Sequence, residues 1–202
     1  MTQAAIRVLK KDPKLAKIIN NVGKYQIRTS RNYYESLVEA IITQQLAGSA
    51  AKAISNRFHS LYGKSFPKPI DVINTSDSKL RKTGLSRPKI KYIKELSKAI
   101  EAKKLKMCSL SRLKDEEVIE QLTQVKGIGR WTAEMFLIFS LGRMDVLPVG
   151  DLGLRKGVQR YNSADELPNA AEIEKLAERW RPYRTVATWY LWKSLKTFGT
   201  IG

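Results

Sequence analysis

Helical periodicity runs through almost the whole chain, and it restricts the fold more than any other feature of the sequence. Apolar residues recur three and four positions apart, whereas the apolar–polar alternation of a strand is rare. Asp12-Pro13 is a typical helix start, and Asp151 can cap a helix running to Tyr161. With 43% hydrophobic residues in 202 positions, such helices can bury a core as one domain or two small lobes. The sequence therefore predicts an all-α protein.

Several classes of protein are excluded by what the sequence lacks. It has no apolar run of the roughly 18 residues that a membrane span needs, and its first residues form no apolar signal segment. Cys108 is the only cysteine and His59 the only histidine. Internal disulfides, cysteine-based zinc or iron–sulfur sites and multi-histidine chemistry are therefore not expected.

The charge of the chain indicates a polyanionic partner. There are 37 Lys and Arg against 19 Asp and Glu, which gives a formal net charge of +18. Half of it comes from residues 79–106, which hold eleven Lys or Arg and two Glu. Nucleic acid fits best because cations that neutralise phosphates release counterions. A membrane surface fits less well because no basic helix has a Trp- or Phe-rich face. A solvated basic surface remains the alternative.

Residues 121–133 read QLTQVKGIGRWTA, a helix end, a glycine turn and a new helix. Gly127 and Gly129 allow positive φ and a close approach of the backbone to another group. The following helix start offers amide groups and partial positive charge that suit a phosphate. Lys126 and Arg130 add mobile charge on either side. The alternative is a plain corner between two helices.

This segment resembles the hairpin motif of the helix-hairpin-helix/Gly-Pro-Asp superfamily of DNA glycosylases. Within it, GIGRWTA is similar to the 3-methyladenine DNA glycosylase II (alkylbase) family. Three further stretches agree in order and spacing, and they are 37–48 (LVEAIITQQLAG), 145–153 (DVLPVGDLG) and 180–192 (WRPYRTVATWYLW). The hairpin of that family usually carries Pro where Lys126 stands.

The resemblance implies one glycosylase module over residues 1–202 with an active-site cleft between two helical lobes. The central lobe is expected over about 26–145, and the second lobe over about 1–25 plus 146–202. The form expected is the compact one without the N-terminal β-domain of the full-length bacterial relative.

Asp151 lies between two glycines at a helix start, so it is a typical N-cap residue. The same position suits catalysis, because the helix start and the nearby Arg155 and Lys156 favour an ionised carboxylate. Cleavage of an N-glycosidic bond develops positive charge on the sugar, and a fixed carboxylate stabilises that charge and orients water. The resemblance gives Asp151 this catalytic role. Asp145 is the weaker candidate and is expected to be a turn residue.

Trp131 stands where the lyase branches of the superfamily carry a nucleophilic Lys. The resemblance therefore implies a monofunctional enzyme without strand cleavage, and it makes Trp131 and Tyr183 walls of the base pocket. Electron-rich rings attract the cationic methylated bases. Packing beneath the hairpin is the alternative for Trp131. No role is assigned to the other aromatic residues considered, which are Tyr33, Tyr34, Phe136, Trp189 and Trp192.

The remaining site residues also follow from the resemblance. Leu46, with Gln45 beside it, matches the side chain that fills the gap left by an extruded base, although a core position for Leu46 is equally compatible with the sequence. The hairpin residues expected to contact DNA are Lys126, Gly127, Ile128, Gly129, Arg130 and Thr132. The carbonyls expected to hold a Na⁺ or K⁺ ion are those of Thr123, Val125 and Ile128. No organic cofactor is implied.

The function that these observations predict is excision of alkylated bases, of the 3-methyladenine and 7-methylguanine type, from double-stranded DNA in base excision repair. The alternatives are a non-catalytic DNA-damage or DNA-structure binding protein and a glycosylase for another lesion class. We expect a monomer that binds damaged duplex DNA. We expect no association with a membrane. We expect an intracellular location, in the cytoplasm or nucleoid of a prokaryote or the nucleus of a eukaryote. Most of the basic stretch 79–106 is expected to serve non-specific search along DNA.

Overall fold

A computed structural model describes residues 2–46 and 48–195. These residues contain α-helices, two short 3-10 helices (Met107–Arg112 and Glu178–Trp180) and no β-strand, which confirms the all-α prediction. No described helix combines the length and apolar character required to cross a bilayer. The α-helices of the described residues are α1 (Thr2–Leu9), α2 (Pro13–Val22), α3 (Tyr33–Thr43), α4 (Gly48–Ser60), α5 (Pro69–Asn74), α6 (Asp77–Lys82), α7 (Arg87–Glu101), α8 (Asp115–Thr123), α9 (Arg130–Phe139), α10 (Leu152–Asn162), α11 (Ala170–Ala177) and α12 (Arg184–Ser194).

The helices group into two compact units, which we call the central and the terminal unit. Among the described residues, the central unit comprises residues 30–136, and the terminal unit joins residues 2–29 to residues 137–195. Helix α9 belongs to the central unit up to Phe136 and to the terminal unit from Leu137. The bounds of the units thus differ by several residues from the lobe bounds of about 26–145 expected from the sequence.

The central unit is organised around α7, which packs against α3, α5 and α6. Ser86 caps this helix by accepting from the Lys89 amide, and Ile90, Ile93 and Leu96 are buried on its inner side. The spacing of these apolar residues is the reason α7 turns one face to the core and its lysines outward. Helices α8 and α9 follow, with the glycine turn between them.

The terminal unit is built on α12, in which the eight consecutive residues 185–192 are all buried. This helix packs against α2 and α10. At Gly157 of α10, an added Cβ would lie only 2.8 Å from Cβ of Leu191, so the two helices approach more closely than a larger residue would permit. The start of α10 is therefore held in a fixed relation to the end of α12.

A buried polar network ties α2 to the rest of the terminal unit. Oδ1 of Asp12 accepts from the amides of Lys14 and Leu15, and its Oδ2 accepts from the Tyr161 hydroxyl (2.6 Å) and from Nε1 of Trp180 (3.0 Å). Burial alone would raise the pKa of the Asp12 carboxyl. The hydrogen bonds from Tyr161, Leu15 and Trp180 outweigh burial, and the pKa of Asp12 lies below its ordinary value.

Candidate functional site

The turn between α8 and α9 depends on Gly127. This residue has φ of +97°, and a Cβ added to it would collide with the ring of Tyr92 on α7. Gly129 also allows positive φ, but its φ lies outside that range and an added Cβ would meet nothing within 4 Å. Gly127 is thus required by the turn and by packing within the protein, whereas Gly129 leaves open space at the start of α9.

The two cations of the hairpin differ in their surroundings. Lys126 is exposed. Arg130 was expected to be a mobile charge, but its guanidinium binds both carboxylate oxygens of Glu116 (2.6 and 3.0 Å) and Oε1 of Glu134 (3.1 Å). The hydrogen bond with Glu116 raises the pKa of Arg130, and the charges of both glutamates add to it. The expectation is therefore wrong in this respect, because two carboxylates already compensate the Arg130 charge.

The side chains of Ile128 and Thr132 are buried, 4% and 5% exposed respectively. Any contact that these residues make with DNA must therefore come from their backbone groups. For Thr132 this agrees with the use of a helix start as a phosphate site, in which main-chain amides are the donors. The Ile128 amide already donates to the Val125 carbonyl (3.0 Å).

The turn after α3, which we call the QQL turn (residues 44–46), is fixed from two sides. Nζ of Lys89 donates to the carbonyls of Ile42 (2.8 Å) and Gln44 (2.7 Å). The side-chain amide of Gln44 donates to the carbonyl of Gly127 (2.9 Å), which joins the QQL turn to the hairpin. Burial lowers the pKa of Lys89. Gln45 and Leu46, the residues expected to enter DNA, therefore belong to a turn that is held by hydrogen bonds from Lys89 and to Gly127.

Within the QQL turn, Gln45 is exposed in the left-handed region, with φ of +55°, and Leu46 is half-buried. The neighbouring Ala47 lies outside the described residues. Both Gln45 and Leu46 thus remain candidates for the inserted side chain.

Asp151 is the N-cap of α10, as predicted, and its Oδ1 accepts from the Leu154 amide (2.6 Å). The same oxygen accepts from Nε1 of Trp192 (2.7 Å). Trp192 is 4% exposed and stacks on Phe139 with ring centroids 6.0 Å apart. The carboxylate is therefore oriented by a backbone amide and by a buried, immobile indole. Sequence reasoning assigned no role to Trp192, and no local signal links two residues 41 positions apart.

Asp145 has a structural position in the terminal unit. Its carboxylate binds Nε (2.8 Å) and Nη2 (3.0 Å) of Arg184 and Nη1 of Arg181 (2.9 Å). These ion pairs fix the segment before α12, which carries the half-exposed Tyr183. Asp145 therefore does more than end a turn, since it holds both arginines that flank Pro182 and Tyr183.

Two large apolar side chains near the candidate site residues are exposed. Trp131, in the first turn of α9 in the central unit, is 47% exposed. Leu152, which follows Asp151 in the terminal unit, is 53% exposed. Burial of either side chain against a ligand or partner would be favourable. Sequence reasoning missed Leu152, although its place next to Asp151 could have drawn attention to it.

No group of three or more His, Cys, Asp and Glu side chains within residues 2–46 and 48–195 could hold a metal ion. The carbonyls expected to bind a monovalent cation lie in the hairpin turn, where the Val125 carbonyl accepts from the Ile128 amide (3.0 Å). A carbonyl oxygen has a second lone pair. The three oxygens of Thr123, Val125 and Ile128 are thus chemically suited to an alkali cation, and the cation site remains a prediction.

Comparisons with known proteins agree with these features. A family model described as "HhH-GPD superfamily base excision DNA repair protein" matches residues 38–182. DNA-3-methyladenine glycosylase 1 of Schizosaccharomyces pombe is 38% identical over 97% of this chain and 88% of that protein. The chain belongs to the HhH-GPD superfamily of base excision DNA repair proteins.

Two solved structures support the same relationship. A DNA-3-methyladenine glycosidase from Bacillus halodurans has a TM-score of 0.84 and 41% identity, covering 95% of this chain and 88% of that chain. A Schizosaccharomyces pombe 3-methyladenine DNA glycosylase in complex with abasic DNA has a TM-score of 0.80 and 36% identity, covering 98% and 100%. The resemblance to the alkylbase glycosylases seen in the sequence is thereby confirmed.

Proposed function

We propose that this protein is a monofunctional DNA glycosylase that hydrolyses the N-glycosidic bond of alkylated bases in double-stranded DNA. The observation that carries the proposal is the fixed carboxylate of Asp151, oriented by the Leu154 amide and the Trp192 indole. The names of the relatives, which are 3-methyladenine glycosylases, support the same substrate class. The product would enter base excision repair as an abasic site.

Asp151 performs the chemistry in this proposal. As the bond from base to sugar breaks, positive charge develops on the sugar, and the carboxylate stabilises it electrostatically. A carboxylate held by two donors needs little reorganisation when that charge appears. The same group orients the water that attacks the sugar.

Lesion selection would come from Trp131 and Tyr183. A methylated base such as 3-methyladenine or 7-methylguanine carries positive charge, and an aromatic ring face attracts a cation. The exposure of Trp131 is consistent with a ring face that contacts a bound base. Tyr183 offers a smaller ring, held in place by the ion pairs of Asp145 with its neighbours.

DNA would be bound by the hairpin and the QQL turn. The amides at the start of α9, with Lys126, Gly127, Ile128, Gly129, Arg130 and Thr132, would bind phosphates. Gln45 or Leu46 would fill the gap that the extruded base leaves. A Na⁺ or K⁺ ion on the carbonyls of Thr123, Val125 and Ile128 would add positive charge beside a phosphate. We expect no organic cofactor, a monomer and an intracellular location.

The absence of lyase activity follows from Trp131, which has no amine to form a Schiff base with the sugar. The proposal therefore predicts base release with an intact strand. Incubation with methylated duplex DNA in the presence of borohydride tests both parts. We expect free methylated base and no covalent protein–DNA adduct.

Two outcomes would overturn the proposal. Binding of duplex DNA that contains an abasic analogue, without release of any methylated base, would identify a damage-binding protein. A borohydride-trapped adduct, or release of oxidised guanine instead of methylated bases, would identify a glycosylase of another lesion class.

A further inference from the structure

The outer side of α6 and α7 forms a groove that is lined with cations and lies outside the hairpin and the QQL turn. Its volume is about 460 Å³. Asp77 and Glu95 are its acidic lining residues. Its cationic lining residues are Arg81, Arg87, Lys91, Lys94 and Lys98. Five cations against two carboxylates give the groove a net positive charge.

Carboxylates and carbonyls of the protein compensate only part of the positive charge of the groove. Lys94 binds Asp77 (2.5 Å) and Lys98 lies 3.4 Å from Glu95. Nη1 of Arg81 donates to the Leu85 carbonyl. Arg87 and Lys91 are exposed and take part in no ion pair within residues 2–46 and 48–195. These two cations lie one helical turn apart on the same side of α7.

The groove has a defined position relative to the elements that would contact DNA. Lys89, two residues after Arg87, binds the carbonyls of Ile42 and Gln44 at the QQL turn. The ring of Tyr92 packs directly against Gly127 of the hairpin. Helix α7, which carries the groove, is thus joined to both elements of the central unit, through Lys89 and Tyr92.

We propose that this groove binds the phosphate backbone of the duplex beside the lesion, as a second DNA contact in addition to the hairpin. The inference rests on the proposed function in that the partner is DNA. From Arg87 to Lys98 the helix rises about 17 Å, which matches roughly five nucleotide steps along one strand. Duplex DNA fits the groove better than a membrane surface does, because its lining contains no aromatic side chain.

The contact gives part of the basic stretch 79–106 a definite place on DNA. Phosphate contacts position a protein on the duplex without reading its sequence, as a repair enzyme requires. Because Arg87 begins the same helix that holds the QQL turn through Lys89, the groove would engage one of the two duplex arms that flank the extruded base. The affinity should therefore depend on the length of that arm and not only on the lesion.

The test uses duplexes with a tetrahydrofuran abasic analogue at the centre or about four base pairs from either end. Arg87→Gln with Lys91→Gln removes two groove charges. Lys64→Gln with Lys68→Gln removes two exposed charges of the same unit outside the groove, as the matched control. Affinity is measured by fluorescence anisotropy as a function of salt.

For the wild type and the control, we expect shortening of one particular arm to weaken binding. For the groove variant we expect weaker binding to the long duplex and no further loss when that arm is shortened. The slope of log affinity against log salt should fall by about 0.9 for each phosphate that the groove variant no longer neutralises. If the wild type binds the long duplex but the groove variant behaves like the control, the inference is wrong and the proposed function stands. If the wild type binds none of the duplexes, the proposed function itself fails.

Discussion

The indole Nε1 of Trp192 lies 2.7 Å from Oδ1 of Asp151, and the two residues are 41 positions apart in the chain. This hydrogen bond makes the end of α12 part of the candidate active site. Close packing at Gly157 and Leu191 keeps the two helices in register. The orientation of the carboxylate therefore depends on helix packing as well as on the local cap.

Trp192→Phe tests this dependence. The substitution keeps a buried aromatic ring, although a smaller one, and removes the N–H group that binds Asp151. A hydrogen bond to a charged group contributes about 1.5–3 kcal/mol, so we expect the single-turnover rate of base release to fall about tenfold or more. Affinity for abasic-analogue DNA should stay close to that of the wild type.

Trp189→Phe is the matched control for this variant. Trp189 lies on the same helix, is 5% exposed, and its Nε1 has no hydrogen-bond partner in the described part of the chain. The substitution should leave the rate of base release unchanged. Equal losses in both variants would mean that ring packing in α12, and not the hydrogen bond to Asp151, explains the effect.

Gly127→Ala and Gly129→Ala should have different consequences. Alanine at 127 must adopt positive φ and displace Tyr92, so we expect a loss of at least about 2 kcal/mol in the free energy of unfolding. The Cβ of an alanine at 129 would meet no protein atom within 4 Å. The free energy of unfolding of this variant should therefore stay within about 0.5 kcal/mol of the wild-type value.

Gly129→Ala should nevertheless weaken DNA binding, because its methyl group would stand where a phosphate approaches the start of α9. Urea unfolding and DNA titration measure the two effects. Wild-type stability of Gly127→Ala would contradict the close packing of Tyr92 against the hairpin.

Asp145→Asn should destabilise the protein. The substitution weakens the ion pairs with Arg181 and Arg184, and it leaves the Arg184 guanidinium, whose side chain is 16% exposed, incompletely paired. We expect a loss of about 1–3 kcal/mol in the free energy of unfolding, measured with urea at neutral pH. An unchanged urea midpoint would show that these pairs add nothing to the terminal unit.

The stability of the protein should depend on Asp12 in a pH-dependent way. Its pKa is lower in the folded state, so the ionised carboxylate stabilises the fold above its ordinary pKa, near 4, and this contribution is lost as the pH falls through the lowered value. Asp12→Asn should cost about 2 kcal/mol at pH 7, and the difference from the wild type should shrink as the pH drops below about 4.

Urea unfolding between pH 7 and pH 3 measures this difference, with Asp165→Asn as the control at an exposed position. A difference between wild type and Asp12→Asn that stays constant with pH would contradict the role of the Asp12 charge.

The sequence predicted those features that depend on neighbouring residues. The caps at Asp12 and Asp151 follow from side-chain contacts over two or three positions, and the buried side of α7 follows from helical spacing. The resemblance of four sequence motifs to those of known glycosylases also predicted the family. These signals are local or belong to a continuous segment, so a single sequence carries them.

The sequence could not indicate contacts that exist only after the helices pack. The charge of Arg130 looked available, but the fold places Glu116 and Glu134 around it. In the same way, Lys89 looked like one cation among eleven, yet it binds the end of α3. Glu116 lies 14 positions from Arg130 and Ile42 lies 47 positions from Lys89, beyond the reach of periodicity or capping rules. Only Glu134, four positions after Arg130, stands at a spacing at which helical side chains pair.

The most direct test of the proposed chemistry is the single-turnover release of methylated base from alkylated duplex DNA by the wild type and by Asp151→Asn. We predict rapid release by the wild type. In the variant we predict a loss of about a hundredfold or more, with affinity for abasic-analogue DNA retained. A full rate of release by Asp151→Asn would contradict the central claim that this carboxylate carries the chemistry.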